Sequence, residues 1–201
     1  DILNSACKET KQLVYYCSSL NSESSCEDLL GKETNIYGLV HLAGVFEPDN
    51  MLLGDTEKIF DPVMAANIRN IYMLYITVRN AMLRESAARL ILVSSLAFRR
   101  GAPNHTAYSA AKGALVGMTR SLARKEAPNI LVNAIAPGFI DTSMPKKVIA
   151  KRGIKNVIGE IPMNRLGTPD EVAGVIQFLL GPDSAYVTGQ VINVDGGIIC
   201  N

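Results

Sequence analysis

The sequence predicts an α/β fold of 201 residues: one doubly wound parallel sheet with helices on both faces. Two observations carry this. Short, β-branched runs are apolar at consecutive positions, as strands buried on both faces must be. Longer stretches with helical punctuation separate them, which suits parallel strands joined by crossover helices.

The strand candidates are QLVYYC (12–17), IYGLVHLAG (36–44), RLILVSS (89–95), ILVNAIAPG (130–138) and GQVINVDGG (189–197). Residues 23–30 suit a short helix capped by Ser22 or Ser24. Residues 56–84 form a long helical region, with a break expected at Asp61-Pro62. Residues 107–126 form a second long helix with basic residues near its end. Thr168-Pro169-Asp170-Glu171 opens a third, with a Thr cap, Pro at the first position and acids in the first turn. Gly181-Pro182 ends it. No linker or repeat divides residues 1–201, so a single domain is expected. The irregular segment 139–167, which holds Pro145, Gly153, Gly159 and Pro162 with several lysines, reads as a lid following a strand's carboxyl end.

Composition excludes several classes. Apolar residues make up 48% and charged residues 19%, so the chain is globular rather than disordered. A net charge of +1 gives no basic stripe for nucleic acid. No apolar run reaches the ~20 residues of a membrane span. The start, DILNSACKETKQ, has no apolar signal core. Cys7, Cys17, Cys26 and Cys200 form no metal-binding pair, and His41 and His105 lie near none of them. Reduced thiols in a cytoplasmic protein, with no metal, are the expectation.

Tyr108 and Lys112 stand four apart on a helix and share a face. A neighbouring ammonium favours the phenolate, so the pair suits acid–base work near neutral pH. That spacing alone is common; its setting is less so. The strand RLILVSS ends in Ser94 and Ser95, at the edge where open α/β sheets bind ligands. A serine hydroxyl there can donate to a carbonyl oxygen that is gaining charge.

These residues make the chain resemble the short-chain dehydrogenase/reductase family over nearly its whole length. Ser95 precedes Tyr108 by thirteen residues, as the family's serine precedes its tyrosine. YSAAK (108–112), ILVNAIAPGFIDT (130–142), RLGTPDEVAGVIQFLL (165–180) and AYVTGQVINVDGG (185–197) follow in the family's order, and Asn67 in MAANIRN falls at its helical asparagine. The resemblance implies a Rossmann-like fold and NAD(P)-dependent transfer of hydride between nicotinamide and a carbonyl or alcohol. It implies Tyr108 as proton donor or acceptor and Lys112 as its partner and a ribose contact. Ser95 would orient the substrate oxygen, and Asn67 would hold a water that serves Lys112. Leu20, Ala43, Gly44, Pro137, Gly138, Ile140 and Thr142 would join Tyr108 and Lys112 in holding NADP or NAD. Within the family the resemblance is nearest to 3-oxoacyl-acyl-carrier-protein reductases of fatty acid biosynthesis, through APGFIDTSM and RLGTPDEVA. A homotetramer or homodimer is implied, and Arg99, Arg100 and the lysines of 145–155 would be solvated or face an acidic carrier.

The chain departs from the family in three places. HLAG (41–44) stands where the family commonly has Asn-Asn-Ala-Gly, so Leu42 replaces an asparagine that ties strands together. Ser19, followed by Leu20, stands where an Asp often contacts adenine. The family's first strand, Gly-rich phosphate-binding turn and second strand, about forty residues in all, have no counterpart here. The resulting expectation is a sheet lacking its N-terminal strand-helix-strand unit, with a catalytically inactive fragment or scaffold as the alternative to an enzyme.

Overall fold

The computed structural model describes residues 20, 22–30, 35–49, 51–83 and 87–200. The strand expected at 12–17 and Ser19 lie outside them. The described residues form a four-stranded, all-parallel sheet in the order β1 (Gly38–His41), β2 (Ala88–Val93), β3 (Ile130–Pro137) and β4 (Val191–Val194). β2 and β3 are buried almost throughout, which explains their unbroken apolar runs.

Alternation along the strands divides the core in two. Leu39, Leu90, Leu92, Val132 and Ala134 face one side, with residues of the two long helices. Val40, Ile91, Val93 and Ile135 face the other, against Val172 and Leu179 of a single helix. The sheet is therefore covered on both faces, as expected.

The helices in chain order are α1 (Glu23–Leu30), α2 (Asp61–Met64), α3 (Asn70–Met82), α4 (Ala97–Arg100), α5 (Thr106–Glu126), α6 (Lys146–Arg152), α7 (Ile154–Gly159) and α8 (Pro169–Leu180). Ser22 caps α1, its Oγ accepting from Ser25 N at 3.1 Å. α8 carries a full capping box: Thr168 Oγ1 accepts from Glu171 N at 3.3 Å, and Glu171 accepts from Thr168 N at 2.8 Å.

The break expected at Asp61-Pro62 does not occur. The helix continues, with π-helical turns at Thr56–Phe60 and Ala65–Arg69 on either side of α2. The wide turn carries Asp61 N to Thr56 O, just ahead of the proline that has no N–H to donate. The second π turn holds Asn67, a placement that suits a functional irregularity.

The segment 139–167 contains α6 and α7 and is closed at its base by a bridge between Ile140 and Gly167. Glu160 pairs with Arg152 within the segment and with Arg100 on α4 at 3.0 Å.

Candidate active site

The site grows from the carboxyl ends of the strands. β2 stops at Val93, and Ser94 turns back: its Oγ donates to Lys112 O at 2.8 Å, and its N–H donates to Ile135 O at 2.8 Å. Ser94 is thus a structural tie between β2, β3 and α5. Ser95 takes the other role: its Oγ accepts from Ala97 N at 3.2 Å, and its hydroxyl is near enough to the Tyr108 phenol to lower that phenol's pKa. Leu96 N donates to Pro137 O at 3.0 Å, fixing this loop beside the end of β3.

α5 presents Tyr108 and Lys112 to this edge, and both are buried. Lys112 is only 5% exposed, and its Nζ donates to Val93 O at 2.9 Å. Its ammonium lies 5.4 Å from the centre of the Tyr108 ring. Burial lowers the Lys112 pKa to about 8. Tyr108 differs from expectation. Its pKa is raised, because burial outweighs the lowering effect of the Ser95 hydroxyl. The Lys112 charge does not reverse this, and the tyrosine stands as a protonated phenol.

Asn67 is fully buried beneath the same edge. Its Nδ2 donates to Val45 O at 2.9 Å and Val63 O at 3.0 Å, while Oδ1 has no hydrogen-bond partner. Gly44 joins it to Lys112. A Cβ at Gly44 would collide with Asn67 Oδ1 and lie 3.4 Å from Lys112 Nζ. Gly44 therefore permits the backbone after β1 to approach both side chains. Ser95, Tyr108, Lys112 and Asn67 come from three chain segments: the loop after β2, α5 and the second π turn.

The expected cofactor contacts fall into two groups. Ala43, Gly44, Pro137 and Gly138 follow or end β1 and β3 at this edge. Gly138 N donates to Val194 O at 3.0 Å, and a Cβ there would lie 2.8 Å from Asp195 Cα. Thr142 Oγ1 contacts Ile140 O at 3.5 Å. Ile140 packs in the core under α8 and also lines a cleft of about 520 Å³ with Phe139, Ile161, Pro162 and Met163. None of Ser95, Tyr108, Lys112 and Asn67 lines that cleft. Leu20 packs against the core beside the long helices, and no described contact brings it to the edge. Leu42 is exposed.

Sequence reasoning missed two residues. Asp49 is buried, and its carboxylate accepts from the N–H groups of Thr106 and Ala107 at the start of α5. Phe46 stacks on His105 with ring centres 3.8 Å apart and meets the Tyr108 ring edge-on at 4.8 Å. An acid at Asp49 had no local signal, since its partners lie far along the chain. Among the described residues no group of His, Cys, Asp or Glu could hold a metal ion, and no helix is long and apolar enough to cross a membrane.

A parallel sheet covered on both faces, with a buried Tyr/Lys pair and a serine at its carboxyl edge, defines a Rossmann-type oxidoreductase. The chain belongs to the short-chain dehydrogenase/reductase family, and with it to the NAD(P)-dependent oxidoreductases. Residues 17–199 match the family model described as enoyl-(acyl carrier protein) reductase. The chain is 35% identical over 189 residues to the 3-oxoacyl-[acyl-carrier-protein] reductase FabG of Thermotoga maritima, covering 92% of this chain and 76% of that protein. Its fold is similar to the ligand-free aldohexose dehydrogenase of Thermoplasma acidophilum, with a TM-score of 0.84 and 26% identity over 95% of this chain and 80% of that one. A Beutenbergia cavernae protein, described as an NAD(P)-dependent gluconate 5-dehydrogenase and holding NADP at low occupancy, matches with a TM-score of 0.82 and 29% identity. That match covers 90% of this chain and 74% of that one.

Proposed function

We propose that this chain reduces a 3-oxoacyl group carried on acyl carrier protein, with Tyr108, Ser95, Lys112 and Asn67 as its working group. The buried Tyr108/Lys112 pair beside Ser95 is the observation that carries this reading. Burial keeps the phenol protonated, so Tyr108 is ready to give its proton to a carbonyl oxygen as that oxygen gains charge. Ser95, whose hydroxyl acts on the Tyr108 phenol, orients the same oxygen. Lys112 is held in place by Val93 O and supplies positive charge beside the phenolate that proton loss leaves. Asn67 spans the carbonyls of Val45 and Val63, which keeps its π turn next to Lys112.

NADP or NAD supplies the hydride when bound. The residues suit it: Gly44 clears the backbone after β1, and the end of β3 offers Pro137-Gly138 at the same edge. Ala43, Gly44, Pro137, Gly138, Ile140 and Thr142 would hold the nicotinamide end, with Lys112 on its ribose, and Leu20 is assigned to the adenine end. The lysines at 146, 147, 151 and 155 are exposed on the consecutive helices α6 and α7, which suits an acidic carrier protein. The segment 139–167 serves as the lid. A cytoplasmic homotetramer or homodimer completes the proposal.

The test is spectrophotometric. NADPH and NADH oxidation are followed with a 3-oxoacyl thioester for the parent protein and for Tyr108→Phe. The expected result is a loss of about 10²-fold or more in turnover with the fold retained. Equal turnover in the variant would overturn the assignment.

A further inference from the structure

His41 ends β1 and is only 4% exposed, yet neither ring nitrogen has a hydrogen-bond partner. Such a group costs stability unless something pairs with it. Its placement narrows what that is. His41 pairs in register with Leu92, and Leu39 and Leu92 both face the two long helices. By strand alternation His41 faces the same side, where α5 carries Lys112 and the π turn carries Asn67. Lys112 Nζ is bound to Val93 O, one residue beyond Leu92.

The unpaired atoms complement one another. A neutral imidazole has one donor and one acceptor. Lys112 has N–H groups beyond the one given to Val93 O, and Asn67 has a buried Oδ1 without a partner. Gly44, three residues after His41, brings Asn67 Oδ1 and Lys112 Nζ to a common point. We infer that His41 is a positioning residue for Lys112, one ring nitrogen accepting from Lys112 and the other donating to Asn67 Oδ1, each through one water.

The electrostatics agree with this geometry. Burial, then the Lys112 charge, lowers the His41 pKa to about 4, so the ring is neutral where the enzyme would work. Of the neighbouring elements, β2 offers apolar Leu92, and α5 offers Lys112 and the titratable Tyr108. The π turn offers neutral Asn67, with Arg69 exposed to solvent. The Arg79–Glu126 pair lies at the other end of the long helices.

The inference rests on Lys112 belonging to the reduction site, but its test reads protonation rather than turnover. Failure of the reductase reading would show instead in Tyr108→Phe. The full chain has two histidines, so ¹⁵N-labelled rings give two titrations, assigned with His105→Gln. His41 is expected to stay neutral down to about pH 4, and its midpoint to rise in Lys112→Met. An unchanged midpoint in folded Lys112→Met overturns the inference. The reciprocal experiment covers a variant that fails to fold. With labelled lysines, His41→Leu should lower the Lys112 midpoint by about half a pH unit or more, and His41→Asn should restore it. A Lys112 midpoint indifferent to both changes overturns the inference as well.

Discussion

Asp49 caps the helix that carries Tyr108. Its Oδ2 accepts from Thr106 N and, at 3.3 Å, from Ala107 N, while Oδ1 takes the Thr106 hydroxyl at 3.3 Å. His105, the residue at the usual cap position, makes no side-chain cap bond. The cap is instead supplied by the loop after β1, where Asp49 N also donates to Asn104 O at 2.8 Å. The start of α5 is thus fixed to the loop that follows Gly44.

Replacing Asp49 by Ala should therefore destabilise the protein by about 1–2 kcal/mol, the worth of a lost helix cap. Asp49→Asn should cost less, because an amide oxygen can still accept. Urea denaturation of the two variants and the parent measures this. Equal midpoints would show that the contact carries no stability.

Gly44→Ala should affect chemistry more than stability. The added Cβ meets the side-chain amide of Asn67 and approaches Lys112 Nζ at 3.4 Å. Shifting either group displaces the proposed site, and turnover should fall by about tenfold or more. Paired measurements of turnover and thermal midpoint separate the two effects.

Lys112 makes stability depend on pH with a definite sign. Burial lowers its pKa from 10.5 to about 8 in the folded protein. Between these values the unfolded chain binds more protons, so stability rises with pH across that window. Below about pH 8 the full cost of the buried ammonium is present. Lys112→Met should flatten this slope, which denaturation at pH 7 and pH 10 would reveal, and should also remove most turnover.

The far end of α5 has an ion pair of another kind. Arg79 Nε and Nη2 donate to the two oxygens of Glu126, both at 2.8 Å. Arg79 holds the buried Glu126 carboxyl below its usual value of 4.5. The pair's contribution is complete above that value and is lost as pH falls through the depressed one. Arg79→Ala leaves the buried carboxylate only the longer contact with Lys125 at 3.9 Å and should cost about 2 kcal/mol, short of a fully buried pair because Arg79 reaches solvent. Glu126→Ala should cost less, because Arg79 can turn outward. Acid denaturation curves of both variants check the order.

Local spacing was enough for several features. The apolar runs placed β1 to β4 because strands buried on both faces must be apolar at successive positions. Thr168 and Glu171 announced α8 because a capping box is made within one turn. Tyr108 and Lys112 were legible as a pair because four residues is one helical turn. Ser95 was legible with Ser94 as the polar end of an apolar strand, and the family's motifs selected it; Asn67 was found only through those motifs, since it has no local pattern of its own.

What the sequence determined by itself was short-range: strand and helix periods, caps, and the shared face of Tyr108 and Lys112. The tertiary structure decided what depends on where the chain returns. It turned the expected break at Pro62 into a run of π and α turns, and it brought Asp49 to α5 across 57 residues. It also set the protonation of the site, because burial overrides the simple expectation that an ammonium lowers a nearby phenol. Desolvation belongs to the packed fold, and no spacing of residues along a chain encodes it directly.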